Sequence, residues 1–417
     1  MKILWLCNMM PGKVAEAISG KKSSGGLWVD RVLEGLRQQE GLKLHVLCPG
    51  TDAQGAVDAS CGYRTFALGL PYQYRPQLEA MFREELTKFQ PDVIHIWGTE
   101  YAHTLAMVNA CEKENLLDHT LISIQGLCSV YAGHYGEGLP ANVCRGFTLR
   151  DLLRQDNIEQ QRKKFALRGQ LEVEALRKAR HVIGRTDWDR SCTKEINPTA
   201  QYHFCNETLR EDFYDGQWNY ASCRKHRIFA SSCAYPVKGF HYLLEAFPEV
   251  LKRYPDATIA VTGKDPRKLP PYRLGSYQKY LLSLMRKNGL EGKIEFLGGL
   301  SAEKMKEAYL EANAFVLPST IENSPNSLGE AMLLGVPCVA ADVGGVSNML
   351  VNREEGFIYQ PTAPYMLAYY IDRVFAMEDQ AATLGQKAKA HAERTHSFGE
   401  NLDTLLEIYR TVRKETL

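Results

Sequence analysis

The chain lacks several things that would commit it to a narrow class. No apolar run approaches the ~20 residues a bilayer span needs, so any membrane contact is confined to a surface. Charge of one sign is missing too: formal net charge is +1. No global field therefore gathers nucleic acid or an anionic surface, and an anionic ligand must be held by local groups. The eleven cysteines contain no C-x-x-C pair. Scattered singly and odd in number, they have the pattern of reduced thiols in a cytosolic protein rather than a disulfide frame or a zinc site. No His, Cys or Asp cluster has metal-ligand spacing, so no metal is expected. There is no internal repeat or low-complexity tract. The opening "MKILWLCNMMPG" reaches Pro and Gly too soon for a signal peptide and reads as a first strand.

What is present is ordinary in composition and regular in pattern. A hydrophobic fraction of 45% and a charged fraction of 24% suit a water-soluble globular protein. At roughly 150 residues per domain, the length implies two or three domains. Short runs rich in Val, Ile and Leu recur at 2–7, 43–48, 63–68, 93–97, 121–124 and 181–184. A second series follows at 227–232, 257–263, 293–298, 314–319, 337–341 and 356–360. Amphipathic helical patterns such as "GLWVDRVLEGLRQQ" and "LEAMFREELTKF" separate many of these runs. This alternation predicts an α/β protein with two doubly wound parallel sheets. The polar, aromatic stretch 201–225 breaks the rhythm and reads as the connection between them. Two such domains imply a cleft faced by the C-terminal ends of both sheets, where open α/β sheets bind ligands.

The stretch 321–337, "IENSPNSLGEAMLLGVP", places Glu322 and Glu330 eight positions apart around a strand-to-helix turn. Gly335 and Pro337 close the helix. Backbone N–H groups at Asn326, Ser327 and Leu328, with the helix dipole, predict a seat for a diphosphate. The two carboxylates can each accept from a pair of sugar or ribose hydroxyls. Equally, Ser327 and Glu330 fit the S-x-x-E capping box, and Glu322 fits a solvated loop acid.

This spacing, continued by "AMLLGVPCVAADVGGVSNML" and "EEGFIY", closely resembles the C-terminal domain of retaining GT-B glycosyltransferases of family 4 (glycosyl transferases group 1). "YPVKGFHYLLEAF", "VTGKD" and "EFLGGLS" fall where that family has its lysine, its second strand and its "FLG" turn. The resemblance is close over 227–395 and looser before that. It implies a GT-B fold of two Rossmann-like domains facing a cleft. Residues 1–205 would bind the acceptor, 206–396 the nucleotide sugar, and a terminal helix at about 397–417 would pack back on the first domain. By the same resemblance Glu322 orients the donor sugar, Glu330 holds the ribose, and Ser327 and Leu328 present N–H groups to the diphosphate. Lys238 neutralises the leaving phosphate, with Gly263 and Leu297 lining the donor site. The family arginine about five residues before the lysine is absent; Cys233 stands near that place.

In the first half, Gly25 and Gly26 in "SSGGLWVD" resemble the family's first glycine loop, where glycine lets backbone approach a phosphate or sugar. Glu100 and His103 follow the fourth expected strand and either bind acceptor or sugar, His103 with a catalytic part, or cap a helix. Gln125 stands where many family members have a histidine. Arg185 either reaches a phosphate or pairs with Asp187 or Asp189. The ten cations between Arg145 and Arg180 either form a solvated, ion-paired face or rest on an anionic inner leaflet. The resemblance implies retaining transfer of a sugar from a nucleoside-diphosphate donor, UDP-sugar favoured, onto a glycan or lipid-linked acceptor in bacterial surface polysaccharide synthesis. No cofactor is required, and the expected location is cytoplasmic or peripheral on the inner membrane face. Rival readings are a non-catalytic nucleotide-sugar-binding protein and a GT-B epimerase or phosphorylase.

Overall fold

Strands that run through Val, Ile and Leu without polar alternation need cover on both faces, and helices supply it here. The computed structural model describes residues 1–21 and 28–414, in two units. The first contains Met1–Ala132, Lys164–Arg210 and the C-terminal segment from His396. Its strands are β1 (Lys2–Cys7), β2 (Lys43–Pro49), β3 (Gln54–Asp58), β4 (Cys61–Phe66), β5 (Val93–Trp97), β6 (Thr120–Ser123), β7 (His181–Gly184) and β8 (Gln201–Phe204). They form one sheet in the order β3-β4-β2-β1-β5-β6-β7-β8. Only β3 runs antiparallel to its neighbour, β4.

The helices Trp28–Arg37 and Phe398–Lys414 cover one face of this sheet, burying Val32, Leu33, Leu405 and Val412 with Trp5 and Val46. Pro76–Phe89 and Ala102–Lys113 cover the other, through Phe82, Met107 and Val108. A buried hydrogen-bond chain joins the terminal helix to the sheet. Trp5 Nε1–H donates to the Tyr409 hydroxyl at 3.0 Å, which lies 2.6 Å from His95 Nδ1; His95 Nε2 meets Ser123 Oγ at 2.7 Å. Burial pushes the His95 pKa well down, so the ring is neutral and Nδ1 accepts the tyrosine proton.

Two edge strands depart from the sequence expectation. The exposed hairpin strand β3, "QGAVD", has too few apolar residues to show a pattern. Residues 201–204, expected in the domain connection, form β8; its side chains are half-buried or exposed. An edge strand needs one covered face at most, so continuous hydrophobicity is not required of it.

The second unit contains Gly133–Lys163 and Glu211–Thr395. Its strands β9 (Arg227–Ala230), β10 (Thr258–Val261), β11 (Ile294–Phe296), β12 (Ala314–Leu317), β13 (Cys338–Ala341) and β14 (Phe357–Tyr359) are all parallel, in the order β11-β10-β9-β12-β13-β14. Phe229, Tyr309 and Phe315 pack with ring centroids 4.8 and 5.2 Å apart along Tyr309.

The segment 133–163 was expected in the N-terminal domain and belongs instead to this unit. Its contacts explain the correction. Asp151 accepts from the Ser276 backbone N–H at 2.8 Å and from the Ser276 hydroxyl, and Ser276 Oγ donates to the Gly146 carbonyl at 3.1 Å. These bonds link residues over a hundred positions apart, which no local pattern encodes. Chain order reverses between β1 and β5 in the first sheet and between β9 and β12 in the second, so each sheet has a ligand-binding switch point at the C-terminal ends of those strands.

Candidate functional site

At the second switch point, Ser319 and Glu322 follow β12, and the 3-10 turn Pro236–Lys238 follows β9. Gly239, at φ +64°, allows the two to meet: a Cβ there would overlap the Pro318 carbonyl oxygen. The Thr320 N–H donates to the Val237 carbonyl at 2.9 Å and fixes the approach. Lys238 Nζ then donates to Glu322 Oε1 at 2.6 Å, and Ser319 Oγ donates to the same oxygen at 2.8 Å. Glu322 is buried, whereas the lysine side chain is 34% exposed. Gly344, at φ +53°, passes so close to the Glu322 carbonyl that no side chain fits. The acid is held from both sides, while the ammonium can meet an arriving anion.

The helix Asn326–Leu333 starts here with Pro325 as its N-cap and no side-chain cap bond. Ser327 thus lies inside the helix, and the capping-box reading of Ser327 and Glu330 does not hold. Glu330 is buried, with its Oε2 3.3 Å from the Tyr309 hydroxyl, which donates to the Ser327 carbonyl at 2.9 Å. One of the three backbone donors expected at the anion seat needs correction: the Leu328 N–H donates to the Pro325 carbonyl at 2.9 Å, closing the first turn. Asn326 and Ser327 head the helix, where its dipole favours an anion.

Gly263 and Leu297 come together at the ends of β10 and β11. Gly263, at φ +119°, bridges to Gly298, and the Leu297 N–H donates to Val261. Cys233 packs against them: its thiol donates to the Thr262 carbonyl at 3.3 Å, and burial pushes its pKa to about 12. It is a neutral filler where the resembling family carries a cation.

At the first switch point a cavity of about 320 Å³ opens, lined by Asn8, Met9, Trp28, Trp97, Glu100, Gln125 and Arg168 among others. Gly98, at φ +99°, leaves room for Asn8 and Glu100 to converge; a Cβ would strike both. Asn8 Nδ2 donates to Glu100 Oε2 at 2.7 Å, and Arg168 Nε donates to the Glu100 carbonyl at 2.7 Å. Burial raises the Glu100 carboxyl pKa to about 7. Glu172 ties the neighbouring loops together, accepting from Thr99 Oγ1 at 2.7 Å and from the Cys128 and Ser129 N–H groups at 3.0 and 2.9 Å.

Three expectations are corrected in this unit or fall outside it. His103 is no exposed catalytic base: it is buried on the helix Ala102–Lys113 behind Asn8, with Nε2 2.8 Å from Asn8 Oδ1, and burial lowers its pKa to about 3. It positions Asn8. Arg185 has a partner the sequence did not suggest: it is buried and pairs with Glu207 at 2.9 Å, Gln125 donating to the same oxygen at 2.5 Å. Asp189 instead caps its own helix with Thr186. Gly25 and Gly26 lie outside the described residues. Asn8, Trp28, Trp97, Glu207 and Tyr309 were not singled out in the sequence, and Arg168 stood there only among the cations of 145–180. Only their places after strand ends or on facing helices bring them to a site.

Among the described residues no group of three or more His, Cys, Asp and Glu is placed to hold a metal, and no helix is long and apolar enough to cross a membrane.

With this geometry in hand, comparisons with known proteins place the chain. Residues 224–391 match the family model described as glycosyl transferases group 1. An uncharacterized glycosyltransferase of Methanocaldococcus jannaschii is 27% identical over 173 residues, 42% of each chain. The D-inositol 3-phosphate glycosyltransferase of Rhodococcus erythropolis is 30% identical over 178 residues, 42% of this chain and 39% of the relative. The matches thus span about two fifths of these curated relatives. Sucrose-phosphate synthase from Thermosynechococcus elongatus superposes with a TM-score of 0.71 at 17% identity, covering 99% of both chains. HepE of Anabaena, crystallised with UDP-glucose, gives 0.67 at 17% identity, covering 99% of this chain and all of that one. Residues 224–391 thus resemble glycosyl transferases group 1, in a chain of GT-B fold.

Proposed function

We propose that the protein is a retaining glycosyltransferase of family 4 that moves a sugar from a nucleoside-diphosphate donor, a UDP-sugar by preference, onto a glycan or lipid-linked acceptor in surface polysaccharide synthesis. The observation that carries the reading is the Lys238–Glu322 pair beside the bare start of the helix Asn326–Leu333. Lys238 and the Asn326 and Ser327 N–H groups receive the diphosphate, and negative charge building on the leaving oxygen is stabilised by donors already in place. Glu322 accepts from donor-sugar hydroxyls, and Glu330 from the ribose. The anomeric C–O bond to phosphate breaks while a bond to the acceptor oxygen forms on the same face. The acceptor proton passes to the departing phosphate, so no side-chain base is required. The cavity beside Glu100, with two tryptophan walls, suits a sugar acceptor. The UDP-glucose complex of HepE supports uridine as the base.

Incubating the protein with UDP- and GDP-sugars tests this. Donor hydrolysis or transfer by the wild type, lost in Lys238→Ala and Glu322→Ala, is the expected result. A second reading, a nucleotide-sugar-binding protein without turnover, draws on Cys233 and Gln125 standing where the family has arginine and histidine. Tight binding with no turnover across all donors and acceptors would favour it.

A further inference from the structure

The cations between Arg145 and Arg180 do not form one basic face. Arg150 pairs with Asp151 and Asp156, Arg162 with Glu159, Lys178 with Glu112 and Arg180 with Asp118. What the segment does expose is apolar. Phe147, Leu149, Leu152 and Leu153 are 57, 57, 64 and 77% exposed, four large apolar side chains within seven residues.

The short helix Leu149–Arg154 is inverted relative to ordinary surface helices, which bury an apolar stripe. Its Asp151 is 1% exposed, closes a capping box with Thr148 and is bound to Ser276, while its leucines face out. The polar side is satisfied by neighbours: Asn157 Nδ2 donates to the Gly146 carbonyl at 3.1 Å, and Arg150 grips Asp156 at 2.8 and 2.9 Å. The apolar display is therefore built and held, not a frayed loop. An apolar patch fixed outward on a solvent-facing surface marks an interaction face. Arg145 and Arg154 bracket it in the chain, exposed and in no salt bridge among the described residues, although Arg145 also faces Glu159.

We propose that residues Phe147–Leu153 form a foot that docks the protein on an anionic phospholipid bilayer. The leucines and Phe147 enter the acyl boundary, and the flanking cations meet headgroup charge. The choice of a bilayer over a protein partner rests on this pairing of an apolar centre with a cationic rim. In the proposed function, the foot favours a lipid-linked acceptor over a free glycan. Binding itself needs no turnover, so its failure would leave the transferase reading standing, and the reverse.

Flotation of the full chain with vesicles of phosphatidylglycerol and phosphatidylcholine, and of phosphatidylcholine alone, tests the proposal. The wild type should float with the anionic vesicles and less with the neutral ones. Leu152→Glu/Leu153→Glu should reduce binding at least about tenfold, with melting temperature and UDP binding unchanged, since both leucines are exposed. Arg145→Glu/Arg154→Glu should weaken binding to anionic vesicles without abolishing it. Wild-type protein that does not float, or leucine variants that bind as well as wild type, would overturn the proposal. So would a wild-type dimer in sedimentation that the leucine changes make monomeric without any vesicle effect, which would assign the face to a second copy of the chain.

Discussion

Lys238 shares its ammonium with a buried carboxylate, so the two residues respond to substitution as a unit. Lys238→Ala leaves Glu322 charged, buried and supported by Ser319 alone, which is costly. Its melting temperature should fall, and adding Glu322→Gln should recover much of the loss because the buried charge is gone. Donor turnover should stay down by about 100-fold in both, since neither restores the cation at the leaving group. Thermal scans and a donor-hydrolysis assay on the two variants check this. Glu100 makes a different prediction. Its folded pKa, about 7 against an ordinary 4.5, means the folded state holds a proton that the unfolded chain has released between those values. Its contribution to stability is thus intact below about pH 4.5 and falls as pH rises toward 7, by about 3 kcal/mol at most. Glu100→Gln keeps an acceptor for Asn8 and carries no charge. It should match wild type near pH 4.5 and exceed it in melting temperature near pH 8. A difference that does not grow with pH would refute this.

At the scale of elements, the Lys238–Glu322 pair depends on two chain segments touching where only glycine permits. Gly239 brings the Pro236–Lys238 turn against the end of β12. Gly239→Ala places a Cβ at positive φ into the Pro318 carbonyl and should cost more than about 1 kcal/mol. UDP affinity should drop as well, because Lys238 moves away from Glu322; calorimetry on the variant reads both effects. The twelve sheet segments expected from apolar runs correspond to β1, β2, β4, β5, β6, β7 and β9 to β14, because a buried parallel strand writes itself as continuous Val, Ile and Leu. The edge strands β3 and β8 left no such mark. Glu322 and Lys238 were legible because they sit within a few residues of strand ends in a recognisable motif. Asn8 and Arg168 carry no motif, and Glu207 lies in a stretch that reads as linker.

At the scale of the whole molecule, neither unit is continuous in sequence. The helix Phe398–Lys414 completes the first unit, placing Leu405, Leu406, Tyr409 and Val412 in its core. Removing residues 397–417 strips half the cover from one sheet face and leaves Trp5 Nε1 and His95 Nδ1 without Tyr409. The first unit should lose its fold while the second keeps its own, so limited proteolysis should leave a protected fragment containing Glu211–Thr395. A truncated chain as resistant as wild type throughout would contradict this. The sequence by itself determined the α/β alternation, the E-x7-E motif around the strand-to-helix turn and the lack of an apolar run long enough for a membrane-spanning helix, because these depend on periodicity and spacing along short stretches. Only the tertiary structure decided that 133–163 joins the second unit, that Arg185 is spent on Glu207, and that leucines near 150 face outward over a buried aspartate. Each of those follows from contacts between residues far apart in the chain, and burial of a side chain is a property of its neighbours in space.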